Sequence, residues 1–213
     1  MMMTRSPIRA LVRGAALSGL SLLATSPAFA HHMMDGELPA TFTQGLLSGL
    51  GHPIIGPDHL AFILAAGLAV AAAGLPLLLP VLFVALSAVG VGLHVAGVGL
   101  PGAELLVAAS VLAAGAVIAS GRRLPVGGWA ALFALAGLFH GYAYGESIFG
   151  AEATPVVAYL IGLAAIQSAL AVGVAWLLRS RTAWEWGRRL PRLAGGTVAA
   201  VGLFVLAAQV IPA

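Results

Sequence analysis

His52, Asp58 and His59 fall close together in the run Gly51-His52-Pro53-Ile54-Ile55-Gly56-Pro57-Asp58-His59, inside a stretch that is otherwise apolar. A second group follows far along the chain, in Phe139-His140-Gly141-Tyr142-Ala143-Tyr144-Gly145-Glu146. His140 and Tyr144 are four apart and share a helix face. Gly137, Gly141 and Gly145 make a stripe of small residues beside them, which lets a neighbouring helix approach closely. Imidazole with carboxylate and no sulfur suits a borderline divalent ion such as nickel, cobalt or zinc. Cysteine is absent and, beyond the first three residues, the only methionines are Met33 and Met34, so a soft Cu(I) site is not offered. An all-carboxylate cage for magnesium or calcium is not offered either. The proposed metal-handling set is therefore His52, Asp58, His59, His140 and Glu146. His94, Tyr144, Glu152, Gln167 and the adjacent pair His31 and His32 are accessory candidates.

The elements that must position these residues are membrane helices. The chain is 61% hydrophobic and 8% charged, against about 25% charged in an average soluble domain. Its mean hydropathy is +1.04. This predicts an all-α, polytopic membrane protein of six transmembrane helices after a cleavable signal peptide. Arg5, Arg9 and Arg13, the apolar run 14–24 and the small residues 27–30 make a leader over residues 1–30. An uncleaved anchor giving a seventh span is the alternative. Residues 31–213 then form one six-helix permease domain. Its first span is compound: a half-helix from Phe42 to Gly51, a break within Pro53–Pro57, and a second half from Pro57 to Gly74. Proline and glycine forbid one uninterrupted helix there, and Pro57 suits a helix start. Later spans are expected over 76–98, 103–120, 126–147, 154–178 and 193–210.

Charge gives the orientation. The sequence pI is about 10.2, but without the three leader arginines the chain has seven Arg and seven Asp or Glu. A formally neutral mature chain has no electrostatic footprint for nucleic acid. With the mature N-terminus in the periplasm, Arg122, Arg123, Arg179, Arg181, Arg188, Arg189 and Arg192 all fall inside, as the positive-inside rule asks. Asp35, Glu37, Asp58, Glu104, Glu146 and Glu152 fall toward the outer half, with only Glu185 inside. The histidines sit on the outer side too. An acidic mouth backed by imidazoles concentrates cations.

Other classes fit less well. The chain has no GxxxxGK[ST] phosphate loop, no G-x-S-x-G and no H-E-x-x-H, so it is read as a non-enzyme. A haem-binding electron carrier using His94 and His140 is a weaker alternative, because an acid between the clearest His pair gains nothing for haem. A membrane metal sensor without transport would share every ligand. No prosthetic group is expected. The expected partners are a divalent metal ion, as cargo, and the lipid bilayer.

The sequence resembles the HupE/UreJ family of nickel and cobalt permeases. The likeness is carried by Gly-His52-Pro-Ile-Ile-Gly-Pro-Asp58-His59-Leu and by Phe139-His140-Gly141-Tyr142-Ala143-Tyr144-Gly145-Glu146. It implies uptake of Ni²⁺ or Co²⁺ across the bacterial inner membrane, with His52, Asp58, His59 and His140 handling the metal. Many members carry a second His where this chain has Tyr144, and a Glu one position after Glu146.

Overall fold

The computed structural model describes residues 37–179 and 189–211. The expected leader, His31, His32, Asp35, Arg181, Glu185 and Arg188 lie outside the described residues. Those described are helical, without strands: α1 (Phe42–Ile55), α2 (Pro57–Ala73), α3 (Leu78–Val95), α4 (Ala103–Ser120), α5 (Val126–Gly145), α6 (Ala153–Arg179) and α7 (Arg189–Val210). A single 3₁₀ turn, Glu146–Ile148, follows α5. The last five helices are each long and apolar enough to cross a membrane, and α1 with α2, bent by 81° at their break, pass the same test together, as one broken span or a re-entrant loop, which makes five to six candidate spans among the described residues.

Local signals place the ends. Thr41 caps α1 by accepting from the Gln44 N–H, while the Gln44 side chain returns to the Thr41 N–H, a reciprocal capping box. α2 and α4 stop at Gly74 and Gly121, both at φ 65°, where a side chain would be strained. The break of the first span lies at Gly56, inside the expected Pro53–Pro57 interval. α1 runs a turn further than its expected end at Gly51, passing through Pro53. A proline so near the C-terminus forfeits one hydrogen bond, and the Gly56 N–H still reaches the His52 carbonyl at 3.2 Å. α7 likewise starts earlier than expected, because Pro191 falls in its first turn, where a missing N–H is tolerated.

Small residues weld the helices in groups. Gly45 and Gly49 of α1 sit against the Pro155 and Tyr159 backbone of α6, and Gly67 of α2 sits against Ala171 lower on the same helix. Gly137 and Gly141 of α5 press on Phe83 and Ser87 of α3, so the expected glycine stripe finds its neighbour there. Gly115 of α4 meets Ala199 of α7. Outward-facing positions are apolar, Leu78, Leu135, Trp176 and Leu203 among them. That suits lipid, since the backbone polar groups are spent within the helices.

The two ends differ in charge. Arg122 and Arg123 follow α4; Arg192 lies beside Gly121. Arg179 donates to the Val70 and Leu75 carbonyls at 3.1 and 2.7 Å, covering the exposed end of α2. Glu104, Glu146 and Glu152 stand at the opposite ends of their helices. Between these ends lies the packed core, where the Phe62 ring meets those of Phe83 and Phe133.

Candidate functional site

The break at Gly56 turns α2 into the bundle and brings His59 toward α5. A Cβ on Gly56 would lie 2.6 Å from the His59 ring, so glycine lets the imidazole fold back over the break. Asp58 is half-buried in the first turn of α2, and its Oδ1 accepts from the His59 N–H at 2.8 Å. A carboxylate there meets the positive end of the helix dipole.

Three buried imidazoles gather around this point. His59 stands between the others, its ring 5.9 Å from that of His52 and 5.0 Å from that of His140. The Nδ1 atoms of His59 and His140 are 2.8 Å apart. Two nitrogens each about 2.0–2.1 Å from one ion and at right angles to it stand ~2.9 Å apart. The pair is hydrogen-bonded, one Nδ1 carrying the proton and the other accepting it, and its spacing is also that of two nitrogens that share one ion. Among the described residues, no three His, Asp or Glu side chains converge as a ready-made cage. Two imidazoles leave the rest of a coordination shell to oxygen groups.

Hydroxyls orient the rings. Ser110 of α4 gives its one proton to the Val107 carbonyl at 2.7 Å. Its oxygen, 3.0 Å from His140 Nε2, is then an acceptor. In that arrangement His140 carries its proton on Nε2 and turns the Nδ1 lone pair to His59. Around His52 the logic repeats. The Tyr144 carbonyl lies at the end of α5, where helical partners run out. It accepts from the Tyr159 hydroxyl at 2.9 Å and the Ser147 hydroxyl at 3.1 Å. Both oxygens then face His52 Nδ1, at 2.9 and 3.0 Å. Ser147 Oγ also lies 3.3 Å from the Tyr159 hydroxyl, so the two hydroxyls and His52 Nδ1 share one hydrogen-bond network. Ligating histidines are commonly held through their other nitrogen in this way.

Tyr144 closes the cluster. Its ring lies 4.2 Å from His59 and 5.0 Å from His52, centre to centre. Its hydroxyl lies beside Gln167 of α6, whose Nε2 donates to Ser87 Oγ at 3.2 Å. Gln167 Oε1 is buried without a hydrogen-bond partner. Such a group costs about 1–3 kcal/mol.

The other expected residues lie apart. Glu146 is exposed and lines a cavity of about 460 Å³ together with His94, Glu104, Tyr142 and Gln209. His94 Nδ1 is 2.9 Å from the Tyr142 carbonyl, and its ring packs on Tyr142 and Phe149. Glu152 is exposed just before α6. So the structure joins His52, His59 and His140, with Asp58 and Tyr144 at their side and Gln167 next to Tyr144. It divides Glu146 and His94 from them. Ser110, Ser147 and Tyr159 are the residues that sequence reasoning passed over; a lone hydroxyl in an apolar span is the only signal they leave.

The family model described as HupE / UreJ protein matches residues 19–205. Protein HupE of Rhizobium leguminosarum bv. viciae is 32% identical over 166 residues, which cover 76% of this chain and 85% of that protein. No solved structure matches.

Proposed function

This chain belongs to the HupE / UreJ family, and we propose that it is a permease taking Ni²⁺ or Co²⁺ into the cell across the bacterial inner membrane. The observation that carries this reading is the His59–His140 pair, two buried imidazole nitrogens 2.8 Å apart at a broken span. Ionisable side chains at membrane depth mark ion pathways, and irregular backbone there is tolerated where it lines a site. The two rings satisfy each other by a hydrogen bond, but hydrocarbon would pack the same space without desolvating either of them.

In this reading the mature N-terminus and the acidic end face the periplasm, and the arginines face the cytoplasm. Residues 1–30 serve as the leader. Acids at the outer end raise the local concentration of cations. An ion entering from there exchanges water for His59 and His140, with His52 and Asp58 completing the set of groups that meet it. His140 is already in the tautomer that ligation needs. His59 shifts its proton from Nδ1 to Nε2, which leaves the Nδ1 lone pair for the ion. Release toward the arginine end requires the aromatic contact of Phe62 and Phe83 to open. The membrane potential favours entry by about 2.3 kcal/mol per charge per 100 mV, twice that for a divalent ion.

Uptake of radiolabelled Ni²⁺ and Co²⁺ in cells lacking their own carriers tests this. Wild type should accumulate one of the two ions, and His59→Ala with His140→Ala should abolish accumulation. Normal uptake by a well-expressed double variant sinks the assignment. Binding without flux in the wild type would favour a membrane metal sensor instead.

A further inference from the structure

We propose that the groove between α6 and α7 holds one acyl chain of an anionic phospholipid from the leaflet at the arginine end, with the lipid phosphate against Arg179. This goes beyond the permease reading and does not depend on which ion crosses.

Consecutive elements usually neighbour each other, but α6 and α7 hardly touch: α6 lies on α1 and α2, and α7 lies on α4. The gap between them is a groove of about 380 Å³. Leu64 and Leu68 of α2 line it, between Val174 and Leu178 of α6 and Ala194 and Val198 of α7. Its one polar side chain, Thr197, spends its hydroxyl on the Leu193 carbonyl of its own helix at 3.2 Å. Nothing in the groove therefore rewards water, and hydrocarbon suits it.

The charge at its foot decides which lipid. Leu178 is followed by Arg179, whose guanidinium is pinned to the end of α2 through the Val70 and Leu75 carbonyls. Both bonds come from Nη2, so Nη1 and Nε keep N–H donors for another acceptor. Trp176, 71% exposed and less than a turn away on α6, is the kind of residue that sits at headgroup level. From Val70 to Leu64, α2 rises about 9 Å. A chain entering beside Arg179 therefore stays within one leaflet of a core ~30 Å thick. α7 begins at the same end with Arg189 and Arg192. None of the described acids lies there: Glu37, Asp58, Glu104, Glu146 and Glu152 belong to the other end or to the break. Basic pockets between membrane helices bind acidic headgroups. The competing account is ordinary solvation, in which any lipid fills the gap and none is chosen.

Native mass spectrometry separates the two. The delipidated full chain would be released from detergent holding equal phosphatidylglycerol and phosphatidylcholine with the same acyl chains. Wild type should carry one phosphatidylglycerol, about fivefold in preference to phosphatidylcholine, the weight of one arginine near a membrane surface. Thr197→Phe puts a ring into the groove from an exposed position. It should lose the bound lipid while keeping every arginine. Arg179→Gln keeps an amide for the carbonyls and drops the charge, so it should carry either lipid equally. Equal retention of both lipids by wild type, or no lipid on it, would overturn the proposal. So would the wild-type adduct persisting in Thr197→Phe, or the wild-type preference persisting in Arg179→Gln. A dimer of the chain in place of a lipid adduct would give the groove to a second copy and overturn it as well. Should Arg179→Gln fail to fold, the wild-type preference and its loss in Thr197→Phe still decide.

Discussion

Ser110 accepts the Nε2 proton of His140 across the α4–α5 interface at 3.0 Å. When Ser110 gives its own proton to Val107, the contact runs from His140 Nε2–H to Ser110 Oγ and leaves Nδ1 basic. Ser110→Ala leaves the ring free to flip its proton. Ion affinity should fall about 10–100-fold, the usual cost of losing the partner of a ligating histidine. A Co²⁺ titration of the purified variant checks this; an unchanged isotherm would show that His140 does not ligate through Nδ1.

Tyr159 does the same service for His52 from α6. Tyr159→Phe removes both a partner of His52 Nδ1 and a donor to the Tyr144 carbonyl. Ser147 still reaches both atoms, so the loss should be partial. The expected result is an uptake KM raised about tenfold. Combined with Ser147→Ala, the loss should exceed the sum of the single effects, because each hydroxyl covers for the other.

Gly141 is fixed by the Ser87 backbone. A methyl group at Gly141 would run into the Ser87 carbonyl, whereas one at Gly92 on the facing helix would meet nothing within 4 Å. Gly141→Ala should destabilise by about 1–3 kcal/mol or more through overpacking. Gly92→Ala should be neutral or stabilising by about 1 kcal/mol from helix propensity. Thermal unfolding in detergent compares the two. Equal midpoints would mean that α3 and α5 are not in backbone contact.

Arg179 closes the end of the broken span by donating to two carbonyls. Hydrogen bonds from a charged group are worth about 1.5–3 kcal/mol. Arg179→Met keeps the apolar stem but makes neither bond, and should lower stability by an amount in that range. Protease nicking near Leu75, followed over time in proteoliposomes, should accelerate if the end of α2 is freed.

Much of this arrangement was legible in the chain because rare residues mark it. Pro57 and Gly56 announced a break, and the structure places it at Gly56 within the expected interval. The arginines and acids announced two ends, and the helices sort them so. His140 and Tyr144, four apart, do share the face that meets His59. Glu146 was grouped with them by proximity in sequence. Six positions are about 600° of helix, 240° net, and the 3₁₀ turn carries it toward the cavity with His94 instead. Ser110, Ser147 and Tyr159 left too little trace. Each is one hydroxyl among apolar neighbours, and its value lies in a partner far away in sequence.

The unbroken α6 runs alongside both halves of the broken span, gripping α1 through Gly45 and Gly49 and α2 through Gly67. It works as a splint. The bend at Gly56 is therefore held on both sides by one helix, and α1, α2 and α6 pack as one group. His140 belongs to another body, the welded α3–α5 pair. The 2.8 Å contact between His59 and His140 is then a clasp across the seam where two rigid pieces meet. Sliding of one group along the other would draw the two imidazoles apart.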